Sequence, residues 1–349
     1  MSLNLDLLQR LCETHGVPGR ETRVRELIES EIDGLFDEVR QDPMGSLLCV
    51  RRSRTGAKNP LRVLLLSHMD EIGFLVSHID DKGFLRVNPA GGFDTRNLFS
   101  RRVTICGRDG DIHGVMNPGG RPVHIASEED KKKVPEIKEF FIDTGLDPDE
   151  VTAKARVGDM VVWDEPFRTM GHKVVSKALD NRYACWVAIE AVRALKDVDH
   201  ACELHVVFTV QEEVGLRGAI TSSFDVDPDI AIGLDVSLSC DTPGVPSEEA
   251  VNTQGKGFGL HVMDGSFIAD ESLIDELEQV AHANSIPCQR SILARGGQDG
   301  AAGQRARSGA RAAGVVVGTR YIHTVTEMVD QRDLQAALDV LVAYIPTVG

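Results

Sequence analysis

No CxxC pair occurs in the 349 residues, although seven cysteines are present. Their odd number and scattered positions argue against both a zinc knuckle and a disulfide framework. Several lie among apolar neighbours, Cys49 in LLCV and Cys106 in TICG, and read as small buried hydrophobes. A reducing, cytoplasmic setting is the expectation. No apolar run approaches the roughly 18 residues that suggest a membrane span. The longest, Leu61 to Ser67 and Ala312 to Gly318, have the length of buried strands. The opening MSLNLDLLQRLCETHG places acids early and has no basic region before an apolar stretch, so it does not read as a secretory leader.

Basic residues are also scarce, 38 against 54 acidic ones, for a formal net charge of −16. Nucleic acid and anionic membranes reward basic surfaces and are disfavoured as partners. A solvated acidic surface accounts for most of the excess, and bound divalent cations would offset part of it locally. Familiar catalytic signatures are missing as well. GVMNPGGR, RGGQDGAAGQ and GKGFG match neither GxGxxG nor GxxxxGK[ST], which excludes a nucleotide cradle. There is no GxSxG elbow and no HExxH.

What is present is an α/β pattern with an interruption. The chain is long enough for one large core or for a main domain with a smaller one. Leu3, Leu7, Leu8 and Leu11, then Val24, Leu27, Ile28 and Ile32, recur at helical spacing on either side of GVPGRE. GSLLCVRR and LRVLLLSHMD follow as interior strands, with His68 at the carboxyl end of the second. Then IGFLVSHID, GFLRVNP, RRVTICG, DIHGVMN and GDMVVWD alternate with glycine or aspartate turns, the pattern of a small barrel-like unit. EEDKKKVPEIKEF inside it reads as a solvated segment with a short helix. The α/β pattern returns with a helix over Tyr183 to Leu195 and the strands CELHVVFTV and DIAIGLDV. The helix SLIDELEQVAHAN, the strand in GARAAGVVVGT and the helix DLQAALDVLVAYI complete it. The expected organisation is an α/β domain of residues 1–71 and 169–349, interrupted by a β-rich insertion at 72–168.

Five segments place acids or imidazoles at or just beyond the ends of apolar strands: SHMDE, ALDNR, VQEEVG, GLDV and RYIHT. Any one alone is ordinary. Asp180 would serve as a helix N-cap, and Glu212 with Glu213 as exposed acids at a helix start. Five in one domain are harder to explain, because carboxylates beside dense apolar runs need protons or cations as partners. In the HxD step, residues two apart in an extended chain face the same way, so Asp70 can accept one ring N–H of His68 while the other nitrogen binds metal. His68, Asp180, Glu213, Asp235 and His323 supply two imidazoles and three carboxylates. Asp70 and Glu212 are left for orienting and proton-transfer roles. Such mixed N/O donors suit Zn²⁺ or Co²⁺, with Mn²⁺ also admissible.

Together, HMDEIGF, KALDNR, TVQEEVGLRGA, GLDV and RYIHT resemble the M42 family of metallo-aminopeptidases. That family includes glutamyl, leucyl and tetrahedral aminopeptidases, and some of its members are labelled endoglucanases. The resemblance spans nearly the whole chain, including GVMNPGGRPVHIASEEDKKK, IDTGLDPDE and VGDMVVWD in the insertion. It implies a central mixed sheet flanked by helices, as in zinc aminopeptidases, and an inserted dimerisation barrel whose dimers assemble up to a tetrahedral dodecamer. It implies two divalent cations per subunit: one at His68, Asp180 and Asp235, the other at Asp180, Glu213 and His323, with Asp180 bridging. Glu212 becomes the general base and Asp70 the residue that orients His68. The sequence departs from the family pattern at Gln298 and Gly300 in GGQDGAA, and at Ala184 and Thr324, none of them a proposed ligand.

The chemistry implied is removal of the N-terminal residue from short peptides with a free amine. A water bridging the two cations loses a proton to Glu212, and the hydroxide attacks the first peptide carbonyl. One rival is a metal-dependent amidase or deacylase acting on small N-acyl compounds. Another is a non-catalytic, metal-stabilised protein that binds peptides or forms a shell. Glycoside hydrolysis fits less well, since it needs free carboxyls flanking a sugar bond.

Overall fold

The computed structural model describes residues 3–349. Two amphipathic helices, α1 (Leu5–Glu13) and α2 (Thr22–Glu31), bury Leu7, Leu8, Leu11, Val24 and Ile28. The Asn4 side chain caps α1 by accepting the Leu7 N–H. Strands β1 (Glu38–Gln41), β2 (Leu47–Arg51) and β3 (Arg62–His68) begin the main sheet. The chain then forms β4 (Gly73–Ile79), β5 (Leu85–Ala90), β6 (Arg101–Gly107), β7 (Gly110–Pro118), β8 (Phe140–Asp143), helix α3 (Pro148–Lys154) and β9 (Met160–Trp163). Strands β10 (Arg168–Met170) and β11 (Lys173–Ser176) lead to α4 (Leu179–Ala194), β12 (Glu203–Thr209), α5 (Arg217–Val226) and β13 (Ile230–Leu238). Next come β14 (Phe258–Met263), α6 (Glu271–Ala283), β15 (Cys288–Ile292), α7 (Gly300–Gln304), β16 (Arg311–Thr319), β17 (Glu327–Asp330) and α8 (Gln331–Tyr344).

The main sheet has eight strands in the order β1-β2-β12-β3-β13-β16-β14-β15. Its centre, β12-β3-β13-β16, is parallel, while β2 against β12 and β14 against β16 are antiparallel. The central strands are apolar on both faces because both faces are covered. Val63 and Leu65 pack into the cluster beneath α1, α4 and α8, and Leu64 and Leu66 into the one beneath α5 and α7. The result is helices on both sides of one mixed sheet. No helix among the described residues is long and apolar enough to cross a membrane.

The inserted strands close into a six-stranded antiparallel barrel, β4-β5-β8-β7-β6-β9, around its own core of Phe74, Val103, Ile105, Phe140, Ile142 and Trp163. Five of these strands match the turn-punctuated apolar runs of the sequence. The sixth, β8, lies in FFID directly after the charged stretch, which forms only short exposed 3-10 turns at Asp130–Lys132 and Ile137–Glu139. A third small sheet, β10-β11-β17, lies beside α4.

Two glycines explain one departure noted in the sequence. The Gln298 side chain lies across β13 and β16, where a Cβ on Gly233 or Gly314 would fall within bonding or clashing distance of its amide. Glycine on both strands makes the space that the larger side chain occupies.

A buried charge cluster ties the first helix to the sheet. Lys177 Nζ donates to both Glu71 oxygens at 2.8 and 2.7 Å, and neither residue is more than 2% exposed. Arg182 donates to the carbonyls of Met69, Leu11, Thr14 and Gly16. Removing one partner of a buried pair strands the other charge. Lys177→Met is therefore expected to cost about 3–5 kcal/mol of stability in metal-free protein, measured by urea unfolding. A loss below about 1 kcal/mol would show that Arg182 alone satisfies Glu71.

Candidate metal centre

All seven residues singled out in the sequence converge on one end of the main sheet, beyond the carboxyl ends of the parallel strands. His68 ends β3, and Glu212 and Glu213 follow β12. Asp235 lies in β13, and His323 sits in the loop after β16 with φ +62°. Asp180 lies at the start of α4, where its own backbone and that of Asn181 depart from helical geometry. The Asn181 amide ties this irregular turn to β13 by donating to the Leu234 carbonyl at 2.8 Å.

Asp180 is the centre of the arrangement. Its Oδ1 lies 3.2 Å from His68 Nε2 and its Oδ2 3.4 Å from His323 Nε2. It does not act as the N-cap that the sequence also allowed. Glu213 Oε2 is 3.4 Å from His323 Nε2. Glu212 Oε2 and Asp235 Oδ1 are 3.8 and 4.0 Å from His68 Nε2. The glutamates are not exposed helix-start acids, since their side chains are 11% and 6% exposed and α5 begins only at Arg217. Three sets of donor atoms lie within 4.8 Å of one another: His68–Asp180–Asp235, Asp180–Glu213–His323 and His68–Glu212–Glu213.

Asp70 faces His68 with both its carbonyl and its carboxylate. The hydrogen-bond partner of His68 Nδ1 is the Asp70 backbone carbonyl, at 2.9 Å, while the nearer carboxylate oxygen is 3.6 Å away. With Nδ1–H donated to a carbonyl, Nε2 presents its lone pair to the cluster. The Asp70 carboxylate also accepts the backbone N–H of Glu212 at 3.0 Å and of Glu213 at 3.1 Å.

Several residues escaped the sequence reading. Glu327, 2% exposed, accepts the backbone N–H groups of Asp180 and His323. Asp299 takes the Thr209 hydroxyl beneath the cluster. Glu21 accepts the N–H groups of Gly19 and Gln211 beside the Glu212 turn. Their local sequences, GRETR, GGQDG and TEMVD, carry no signal that separates a buried backbone acceptor from a surface acid.

The electrostatics follow from burial. Burial pushes Glu212 and Asp235 well above the usual carboxylate range; His68 opposes this, and neighbouring acids reinforce it. Burial also raises Asp180, but the hydrogen bonds and charges of His323 and His68 win and hold it well below its ordinary value. Two imidazoles cannot balance Asp180, Glu212, Glu213, Asp235 and the acids behind them, and Lys177 and Arg182 are committed to Glu71. Ionised carboxylates so crowded and dry require cations. The mixed imidazole and carboxylate donors fit divalent Zn²⁺, Co²⁺ or Mn²⁺. The other two donor groups, His15–Cys106–Asp111 and Glu278–His282–Cys288, already contain a counter-charge, with Arg23 on Asp111 and Arg290 on Glu278.

A cavity of about 710 Å³ opens over the cluster. Its apolar wall includes Phe93, Leu216, Leu238, Leu293 and Ile322, and Gly92, Phe93 and Asp94 bring the loop after β5 to its edge.

A mixed sheet bearing this donor set, interrupted by a closed barrel, defines a metallo-aminopeptidase fold. Residues 45–340 match the family described as M42 glutamyl aminopeptidase. The chain belongs to that family and is an aminopeptidase of the M42 type. The aminopeptidase APDkam598 of the archaeon Desulfurococcus kamchatkensis superimposes with a TM-score of 0.92 at 34% identity, over 98% of this chain and 94% of that one. A TET aminopeptidase from Thaumarchaeota archaeon SCGC AB-539-E09 gives 0.93 at 33% identity, over 98% and 95%. The TET1 peptidase of Pyrococcus horikoshii, described as assembling into a tetrahedron or a large octahedral shell, gives 0.87 at 28% identity, over 98% of both chains.

Metal-free protein should be sensitive to pH. Burial pushes Glu21 up to about 7 and Asp299 up to about 6. His323 reaches about 12: burial opposes the rise, but the hydrogen bonds to Asp180 and Glu213 override it. Each group then keeps a proton in the folded chain that the unfolded chain has released, so stability falls as pH rises. Asp180 works the other way only below about pH 4, while His15, His200 and His205, lowered by burial, offset part of the decline up to about pH 6.5. Between about pH 5 and pH 8 the metal-free protein is expected to lose at least about 1.4 kcal/mol, and saturating Zn²⁺ to flatten the decline. Urea midpoints with and without chelator measure this, and a metal-free midpoint that rises with pH would contradict it.

Proposed function

We propose that the chain removes the N-terminal residue from short peptides using two divalent cations per subunit. The observation that carries this reading is the Asp180 carboxylate, one oxygen toward His68 and the other toward His323. His68, Asp180 and Asp235 would hold one cation, and Asp180, Glu213 and His323 the other. When bound, such a pair polarises the scissile carbonyl and lowers the pKa of a water.

The chain's own groups supply the rest. Glu212 lies beside His68 Nε2 without belonging to either of these ligand sets, and its buried carboxylate has a raised proton affinity. It takes the proton of the attacking water and returns it to the leaving amine. Asp70 holds Glu212 and Glu213 in register through their backbone N–H groups, so proton carrier and ligand keep a fixed spacing. The apolar cavity wall receives the substrate side chain and excludes water from the scissile bond. With the imidazoles in place and two cations bound, Asp180, Glu213 and Asp235 would be committed as ligands, which would leave no free acid pair for glycoside hydrolysis. We further propose that the barrel mediates dimerisation and that the dimers build a twelve-subunit shell, as the similarity to shell-forming TET peptidases suggests.

Glu212→Gln is expected to lower kcat on aminoacyl-p-nitroanilides by about 10²–10⁴-fold. Metal content should stay at two equivalents. Full activity in the variant would remove Glu212 from the mechanism, and failure of chelated wild-type protein to lose activity would remove the cations.

A further inference from the structure

Glu327 lies at the start of β17, pairs in register with Ser176 of β11, and is 2% exposed. It is not among the donor groups that can hold a metal. Its two oxygens instead serve two backbones. Oε2 accepts the N–H of Asp180 at 2.9 Å, and Oε1 accepts the N–H of His323 at 2.8 Å. Those residues need such support more than the others do. Asp180 sits in the non-helical turn that opens α4, and the preceding Ala178 is at φ +58°. His323 is itself at φ +62°, in a loop outside any strand. His68 and Asp235, by contrast, are fixed by their own strands, and Glu212 and Glu213 are held by Asp70.

We propose that Glu327 is a positioning residue that clamps Asp180 to His323 and thereby sets the spacing of the second cation site. One rigid carboxylate bonded to both backbones makes the separation of the two ligands independent of how the loop and the helix start move separately. The inference rests on the two-cation reading above. The expected consequence is selective: loss of the clamp weakens the site with two clamped ligands, Asp180 and His323, more than the site whose only clamped ligand is Asp180, beside the strand-held His68 and Asp235.

The test is a Co²⁺ titration of chelator-stripped protein, followed by calorimetry and by the visible absorption of bound Co²⁺. Wild-type protein is expected to bind two equivalents. Glu327→Gln presents an NH₂ group to one of the two N–H groups, and is expected to weaken one equivalent by at least about tenfold while leaving the other within about threefold. Two equivalents at wild-type affinity in Glu327→Gln would overturn the clamp. Equal weakening of both would also overturn it, as a general effect on the fold. A wild-type chain that binds no second equivalent would instead refute the two-cation reading. Hydrogen exchange on the metal-free wild-type protein gives an answer that does not depend on the variant folding: the Asp180 and His323 amides are expected to be protected, and rapid exchange at both would rule the clamp out.

Discussion

The excess of buried negative charge at the end of the sheet is the constraint on which the rest of the molecule turns. Asp180, Glu212, Glu213 and Asp235 crowd around two imidazoles, and Asp70, Asp299 and Glu327 lie behind them, all at most about a tenth exposed. Without cations, protons are the only remedy, which is why burial drives several of these carboxyls upward. The tolerance of the fold for this charge comes from its rigid surroundings. Central strands apolar on both faces cannot shift to let water in, so the acids stay where the sheet puts them.

A second layer of carboxylates works on backbone. Asp70 takes two successive N–H groups after β12, Glu327 takes those of Asp180 and His323, and Glu21 takes the N–H of Gln211, itself at φ +57°. These turns have no sheet or helix partner for their amides, and a buried N–H without an acceptor is costly. A buried carboxylate meets both needs, because it satisfies the amides and the amides stabilise its charge. Irregular backbone can therefore carry ligands almost as firmly as a strand does.

The sequence shows the framework where hydrophobic patterning is strong. The runs leading to His68, Thr209 and Thr319 are dominated by apolar residues, with Ser67 and His205 the polar side chains between their end residues, and each becomes a central parallel strand. The edges were silent for the same reason. EVRQ in β1 is wholly exposed, and Cys288–Ile292 in β15 keeps only one residue buried, so neither presents a periodic signal. The ligand candidates were visible as acids and imidazoles at strand ends. Glu327 was not, because TEMVD has the same chemistry whether its acid faces a metal, a solvent molecule or an amide. For Asp70, period-two spacing places its side chain on the side of His68, and the structure adds what spacing does not show: its carbonyl lies closer to the ring, and its carboxylate also accepts two amides.

The barrel enters the site through the loop after β5. Phe93 stacks on Phe74 at 4.4 Å and meets the edge of Trp163 at 5.5 Å, so the side chain that walls the cavity is anchored in the barrel core. On the other side, Leu216, Leu238 and Leu293 close the cavity from loops and strand ends of the main domain. The cavity over the cluster is thus bounded by side chains fixed in two separate cores, and its shape depends on where the inserted barrel packs.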